Sequence, residues 1–158
     1  TGYRIERLIS AQSSPNDLCN INVLLKELSK EGNPPELTQF TLNSLLENRY
    51  RTYVYVSRIN DATNAEHERI IGIAMLTVYR KMSGGGRIVG FIDDVVVHSD
   101  HKRRGNCSAL INALLRHAKN AEVCNVDLTT SRQEALLAYE KIGFSVRKTS
   151  PMRYKFLK

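Results

Sequence analysis

The sequence has few of the features that mark disulfide-rich, zinc-binding or membrane-spanning chains. Its 158 residues include no tryptophan and only three cysteines. Cys19, Cys107 and Cys124 are odd in number, widely spaced and without a CxxC pair, which argues against a disulfide framework and a structural zinc site. No run approaches the ~20 apolar residues of a membrane-spanning helix, and no secretory h-region is visible. We therefore expect a cytoplasmic protein with no membrane partner. Because the sequence starts at Thr1 and not at Met, the question of a preceding targeting segment stays open.

Acidic residues are also in deficit, since 23 Lys and Arg stand against 16 Asp and Glu for a formal net charge of +7. The positions 141–158 hold six basic residues and no acidic one. This balance favours anionic partners, which could be nucleic acid, phosphorylated metabolites or the phosphates of a nucleotide cofactor. Of the four histidines, only His98 and His101 are close in sequence, and we expect no metal site.

Alternating apolar residues and β-branched or aromatic content predict several strands. They are expected at residues 3–9, 52–59, 70–82, 87–97 and 123–130, with two short closing β pieces at 144–148 and 152–156. The polar segment 60–69 is expected to be a turn or loop, and the glycine-rich segment 83–86 a flexible hairpin connection.

Apolar residues at helical spacing predict four helices between these strands. They are expected from Pro15 through Leu28, from Leu37 to Arg49, after residue 105 through Ala118, and over 134–142. Ser14 is the expected N-cap of the first helix, and Gly143 is expected to end the last. The resulting order, β-α-α-β-β-β-α-β-α-β-β, contains no repeat or linker. It predicts a single mixed α/β domain over residues 1–158.

The stretch HKRRGNCSAL, residues 101–110, places three consecutive basic side chains before a glycine, between a predicted strand and a predicted helix. The free N–H groups and positive dipole end of such a helix favour an anion. Gly105 allows the backbone to approach the anion closely. Neither GxxxxGK[ST] nor GxGxxG is present, which argues against a nucleotide-hydrolysing P-loop. A solvated surface loop is the alternative.

Two segments together resemble the GNAT family of N-acetyltransferases. The stretch DDVVVHSDHKRRGNCSALINALL is similar to the family's acetyl-CoA-binding motif, in which a strand precedes [Q/R]-x-x-G-x-[G/A], aligned here with residues 102–107. The stretch EALLAYEKIGF resembles the second signature, A-x-x-x-Y-x-x-x-G-F. Lys102, Cys107 and Arg132 depart from the usual residues, and the extra atoms of Cys107 are expected to loosen the turn. The resemblance covers essentially the whole chain and implies a central, mostly antiparallel twisted sheet, splayed at the cofactor site and flanked by about four helices.

The resemblance implies acetyl-CoA as a co-substrate. Backbone groups at the end of the strand would pair with the pantetheine arm, and amides of the turn would bind the pyrophosphate. The implied cofactor-binding residues are Val95, Val96, Val97, Lys102, Arg103, Arg104, Gly105, Asn106, Cys107 and Ser108. Tyr139 would protonate the departing thiolate as a general acid. An ordinary core aromatic is the alternative for Tyr139, because Ala135, Tyr139 and Ile142 share one helical face.

Asp93 and Asp94 are the candidates for a general base that removes a proton from the acceptor amine. Two carboxylates in an apolar strand are costly unless they are paired, solvated or used. In a regular strand they would point to opposite faces, which a bulge would change. The alternative is one surface-facing Asp and one paired with a nearby Arg.

The stretch YRKMSGGGRIVGFIDDVVV resembles the GNAT subgroup that acetylates glucosamine 6-phosphate. On that resemblance Asp94 would contact the sugar, and Arg80, Lys81 or another cation would bind its phosphate. The alternative for Arg80 and Lys81 is a pair of solvated charges at a strand end.

The leading interpretation is an enzyme that moves acetyl from acetyl-CoA to a primary amine by direct attack in a ternary complex. Cys107 is not expected to be a nucleophile, since no histidine partner can be assigned. Another small amine, or a peptide amine, is the alternative acceptor. A non-catalytic basic binding module is the alternative function, although the aromatics do not interleave with the basic clusters as a nucleic-acid stacking platform would. Terminal β pieces can pair between subunits, so a homodimer is also an expectation.

Overall fold

A five-stranded sheet between two layers of helices forms the centre of the protein. The computed structural model describes residues 2–9, 15–61 and 64–156. The strands are β1 (Tyr3–Leu8), β2 (Thr52–Asp61), β3 (Asn64–Arg80), β4 (Ile88–Val97) and β5 (Asn125–Asp127). The helices are α1 (Pro15–Leu28), α2 (Gln39–Glu47), the single turn α3 (Ser83–Gly86), α4 (Asn106–Asn120) and α5 (Gln133–Ile142), with a 3-10 turn at Ser99–His101.

The strand order along the sheet is the order in the chain, β1-β2-β3-β4-β5. The first three pairings are antiparallel, and β5 is parallel to β4. The prediction of a mixed α/β fold with a mostly antiparallel sheet is therefore confirmed. Among the described residues, no helix has the length and apolar character needed to span a bilayer.

Alternation along the strands divides the apolar side chains between two cores. Val54 and Val56 of β2 lie in the core under α1 and α2. Tyr53, their neighbour, lies with α4 in the core on the opposite face. At the end of β4, Val96 likewise faces α1 and Val97 faces α4. Each helical layer thus covers one face of the sheet, and the end of β4 contacts both.

A buried ion pair attaches the start of α1 to the sheet. Asp17 in the first turn is 2 % exposed. Its two carboxylate oxygens accept hydrogen bonds from the Arg58 guanidinium of β2, at 2.7 and 2.9 Å. Arg58 also contacts Glu6 of β1. Three elements therefore meet at one guanidinium, whose planar fork matches a carboxylate.

The prediction of a loop at 60–69 is wrong, because the antiparallel ladder of β2 and β3 runs into this segment. Ile59 pairs with Arg69, and Asn60 with Glu68. An ion pair from Arg4 of β1 holds Glu68 in place. Backbone pairing and cross-strand charges stabilise this polar extension. Neither requires alternating apolar residues, which is the pattern from which the strands were predicted.

The helix starts were predicted to within about two residues, the usual uncertainty of helix ends. The predicted N-cap Ser14 lies outside the described residues. The second helix begins at Gln39, later than the predicted Leu37, because Thr38 is its N-cap and accepts a hydrogen bond from the Thr41 amide at 3.2 Å. The Leu37 amide donates to Asn22 Oδ1 of α1 at 2.9 Å, and Asn22 Nδ2 donates to the Leu37 carbonyl at 3.0 Å.

The C-terminal part differs most from the prediction. β5 spans only three residues instead of 123–130, and neither 144–148 nor 152–156 forms a strand in the described part of the chain. Tyr154 and Phe156 are more than four-fifths exposed and contact each other edge-on. The composition of these pieces suits a strand, but a strand also needs a hydrogen-bonding neighbour.

Candidate active site

The sheet opens where β4 and β5 part. The two strands pair only over Val89–Phe91 and Asn125–Asp127. β4 continues for six more residues without a β5 neighbour. The result is a wedge-shaped opening, with residues 92–97 on one side and the chain after Asp127 on the other.

A β-bulge lies at this opening. Ile73 of β3 pairs with Val96 and Met75 pairs with Asp93, so a single residue of β3 is opposite both Asp94 and Val95. Asp94 adopts a φ of +53°, which is uncommon for a residue other than glycine. A bulge leaves an extra residue outside the ladder and bends the strand. Backbone strain of this kind is concentrated at functional sites.

The bulge sets the positions of the two candidate bases. Met75, the partner of Asp93, packs against the core under α1 and α2, so Asp93 lies on that face of the sheet. Both Asp93 and Asp94 are exposed. Partial desolvation by the surrounding strand raises the pKa of Asp93, and desolvation together with the charge of Asp93 raises the pKa of Asp94. Neither carboxylate has an ion-pair partner within the described residues, so the predicted alternative of a nearby Arg partner is not observed there.

The basic turn follows directly on β4 and is held from both sides. Glu27 of α1 accepts hydrogen bonds from the Ser99 amide at 3.0 Å and the Ser99 hydroxyl at 3.2 Å. The Tyr3 hydroxyl donates to the Arg104 carbonyl at 3.3 Å. Gly105, with φ +75°, is the N-cap of α4 and carries no capping side chain. The first amides of α4 are therefore free to bind an anion.

A hollow of about 240 Å³ lies at this helix start, between the end of β4 and α5. Its lining comes from the end of β4, the basic turn and α5, and consists of Val97, His101, Lys102, Arg103, Gly105, Asn106, Cys107, Ser108 and Ala138. Lys102, Arg103 and Arg104 are exposed and form no ion pair within the described residues. The structure thus brings the predicted cofactor-binding residues of the turn to one place, next to Val95, Val96 and Val97.

Two side chains of the turn, Asn106 and Cys107, are not fully exposed to solvent. Asn106 is only 2 % exposed, so its side chain lies beneath the turn. Cys107 is half-buried, and burial raises the pKa of its thiol. A neutral thiol is a poor nucleophile, which agrees with the expectation that Cys107 is not one.

Tyr139 of α5 follows Ala138, which lines the hollow. Its ring contacts Phe144 edge-on at 5.8 Å, as a core aromatic would. Its pKa is raised to about 12, first by burial and then by Cys107, while Arg132 acts in the opposite direction. The hydroxyl forms no hydrogen bond to the described residues, and Tyr139 lines an open space of about 820 Å³ between β5, α5 and residues 143–151. The phenol is therefore protonated and available at neutral pH.

Arg80 and Lys81 are not close to these groups along the sheet. Arg80 pairs with Ile88 at the far end of β4 and donates to the Gly86 carbonyl. Six residues of strand, roughly 20 Å, separate Ile88 from Asp94.

Two other cations, Lys30 and Arg132, lie at the opening between β4 and β5. Lys30, just after α1, donates from Nζ to the Ser131 hydroxyl at 3.2 Å. Arg132 follows Ser131 and is close enough to lower the pKa of Tyr139. Lys30, Glu27 and Tyr3 were not predicted as site residues. Lys30 is next to a proline-containing segment without periodicity, and its contact spans 101 positions.

Comparison with known proteins agrees with this geometry. The model of the acetyltransferase (GNAT) family matches residues 21–144. The chain belongs to this family, and the prediction of an acyltransferase is confirmed.

Relatives of known name are similar to part of the chain. It is 40 % identical over 76 residues to the glucosamine 6-phosphate N-acetyltransferase of Trypanosoma brucei brucei, which is 48 % of this chain and 51 % of the relative. It is 34 % identical over 80 residues to the Schizosaccharomyces pombe enzyme of the same name, 51 % of this chain and 71 % of that one. The chain thus spans about half the length of the trypanosome relative. The crystal structure of a T. brucei acetyltransferase superposes with a TM-score of 0.77 at 29 % identity, covering 98 % of this chain and 99 % of that one.

Proposed function

We propose that the protein transfers the acetyl group of acetyl-CoA to a primary amine by direct attack in a ternary complex. The acceptor is an amino sugar phosphate such as glucosamine 6-phosphate. The observation that carries the proposal is the opening between β4 and β5, which lies next to the Asp94 bulge and between the start of α4 and Tyr139. The names of the T. brucei and S. pombe relatives support the choice of acceptor.

Acetyl-CoA fits the residues on the α4 side of the opening. The pantetheine arm is extended and carries amides, so it can pair with the backbone of Val95 and Val97 where β5 is missing. Amides of residues 103–108 bind the pyrophosphate at the start of α4, and Lys102, Arg103 and Arg104 add full charges. The hollow of about 240 Å³ beside Gly105 is the space proposed for this group.

The chemistry requires one bond to form, one to break and two protons to move. The amine nitrogen attacks the thioester carbonyl carbon, and the carbon–sulfur bond breaks as the thiolate leaves. Tyr139 donates a proton to the thiolate. Asp93 or Asp94 takes the proton from the attacking amine, directly or through water. Their raised pKa values make both carboxylates stronger bases than an ordinary aspartate.

Lys30 and Arg132 are suited to bind the phosphate of the acceptor. Asp94 lies three residues beyond the last β4 pairing, roughly 10 Å along the strand. Ser131 lies four residues beyond the last β5 pairing, which is at most roughly 13 Å for an extended chain. Lys30 contacts Ser131 and therefore lies on the β5 side of the opening. Neither Lys30 nor Arg132 has an acidic partner among the described residues. An acceptor with an amine at one end and a phosphate at the other can therefore contact both sides.

Release of free thiol from acetyl-CoA tests this function. We expect kcat/KM for glucosamine 6-phosphate to exceed that for glucosamine at least about tenfold, the value of one charge-assisted contact. Lys30→Met and Arg132→Met should reduce this preference, whereas Arg80→Met serves as the matched control and should not. Equal turnover of both sugars would refute phosphate recognition. If folded protein releases thiol with no class of amine that is tested, the transfer reaction is refuted.

A further inference from the structure

Three polar atoms are buried beneath the first turn of α4 without a hydrogen-bond partner in the described part of the protein. They are the Ser57 hydroxyl oxygen and both amide atoms of Asn106, Oδ1 and Nδ2. Ser57 is 0 % exposed and Asn106 2 %. A buried polar group that stays unpaired destabilises the fold, and the large majority of such groups in proteins are bonded to protein or water. These atoms need a partner that neighbouring side chains do not supply.

Gly72 of β3 brings the two side chains together. It pairs with Ser57 across the ladder of β2 and β3. A Cβ at position 72 would lie 3.4 Å from both Asn106 Oδ1 and Ser57 Cβ, and 3.1 Å from Leu110 Cδ1. Asn106 Oδ1 and Ser57 Cβ are therefore at most about 7 Å apart, a separation that a bridging water can span. A side chain at position 72 would occupy this space.

We infer that Ser57 and Asn106 bind one internal water molecule, and that this water fixes the first turn of α4 relative to the sheet. The three polar atoms meet the requirement of a buried water for two to four partners. Asn106 is the first residue of α4, so a contact to its side chain acts directly on the amides that follow Gly105.

The role of this contact rests on the proposed binding of acetyl-CoA pyrophosphate by the same turn. Ser57 and Asn106 have their side chains beneath the turn, so they are positioning residues for the backbone amides that follow Gly105. An apolar side chain at position 106 could pack against Leu110 but could not set an orientation. Hydrogen bonds are directional, and they keep the amides aimed at the anion.

Two substitutions test the inference by calorimetric titration with acetyl-CoA. Ser57→Ala removes one hydroxyl, and Asn106→Leu removes the amide at similar volume. We expect Kd to rise about three- to tenfold in Ser57→Ala and about tenfold in Asn106→Leu, the effect of a lost hydrogen bond. The double variant should bind no more weakly than Asn106→Leu, because both single changes remove the same water.

Matched controls make the same chemical changes elsewhere. Ser44→Ala alters an exposed hydroxyl on α2 that donates to the Phe40 carbonyl. Asn112→Leu alters an exposed amide on α4 itself. Both should leave Kd unchanged. A purely structural role for Ser57 and Asn106 would lower the melting temperature without moving Kd, and that result would overturn the positioning role.

A high-resolution crystal structure gives the second measurement. We expect one ordered water within hydrogen-bond distance of the Ser57 hydroxyl and the Asn106 amide, absent in Ser57→Ala. A direct bond between the two side chains without a water overturns the inference. If the wild-type protein binds no acetyl-CoA, the proposed function fails instead. The crystal water, and faster amide hydrogen exchange of residues 106–108 in Ser57→Ala, then still decide the inference.

Discussion

Removing the charge of Asp17 should destabilise the protein strongly, because the buried Arg58 guanidinium then keeps only its contact to the partly exposed Glu6 among the described carboxylates. The Arg58 side chain is 10 % exposed and that of Asp17 3 %. Breaking a buried ion pair from one side costs about 3–5 kcal/mol. For a chain of this size each kcal/mol shifts the melting temperature by about 2–4 °C, so Asp17→Asn should lower it by roughly 6–20 °C.

The ion pair of Arg4 and Glu68 provides a matched comparison on the same sheet. Their side chains are 52 % and 36 % exposed, and solvent-exposed pairs contribute about 0–1 kcal/mol. Glu68→Gln should therefore lower the melting temperature by less than about 4 °C. Both variants can be compared by circular dichroism at one salt concentration.

A double variant separates the loss of the ion pair from the cost of leaving the Arg58 charge buried without Asp17. Asp17→Leu combined with Arg58→Leu removes both charges, and replacing a buried pair by apolar residues is often close to neutral. We expect the double variant to melt above Asp17→Leu alone. If Asp17→Asn melts no lower than Glu68→Gln, or if the double variant is the less stable one, the reasoning from burial is wrong.

Three further predictions concern catalysis and assembly. Tyr139→Phe should lower kcat about 10²- to 10⁴-fold, the range of general acid–base catalysis, with acetyl-CoA Kd unchanged; an equal kcat would remove Tyr139 from the mechanism. Asp94→Asn should lose activity yet melt higher than wild type near pH 8. The pKa of Asp94 is raised in the folded state, so its charged carboxyl disfavours folding above the folded pKa but not below the unfolded pKa. The gain in melting temperature should therefore vanish near pH 3. A gain in melting temperature that does not depend on pH contradicts this. The exposed Tyr154 and Phe156 should pair with a second copy, so light scattering should give a homodimer that Tyr154→Asp with Phe156→Asp converts to monomer, and a wild-type monomer would refute it.

Local residue types made the two ends of the site predictable. Gly105 and Gly143 both adopt positive φ, at +75° and +124°, where glycine is favoured. Each therefore marks a helix boundary in the sequence itself. The motifs around them give the turn after β4 and the position of Tyr139 on α5.

The bulge could be suspected but not located. Two carboxylates in an apolar strand indicate an irregularity, but the register that places Asp94 outside the ladder depends on β3. The contacts that hold the site are also tertiary. Tyr3 and Arg104 are 101 positions apart, and Glu27 and Ser99 are 72 apart. Neither local propensity nor periodicity can encode such distances.

The C-terminal prediction failed for a different physical reason. Residues 144–148 and 152–156 have the composition of strands, but propensity describes only how well a residue fits a sheet that already exists. Within the described chain, β5 is too short to provide that sheet edge.

Only three residue pairs join β5 to β4, the fewest of any ladder in the described sheet. Local unfolding starts where few backbone bonds must be lost, so the segment from β5 to residue 156 should separate from the sheet before the remainder unfolds. A protease should cut there first. A molecule bound between β4 and α5 would link the two parts and resist this opening in proportion to its occupancy. The substrate would then serve as a temporary section of the sheet, and the enzyme would be most resistant to degradation while it is at work.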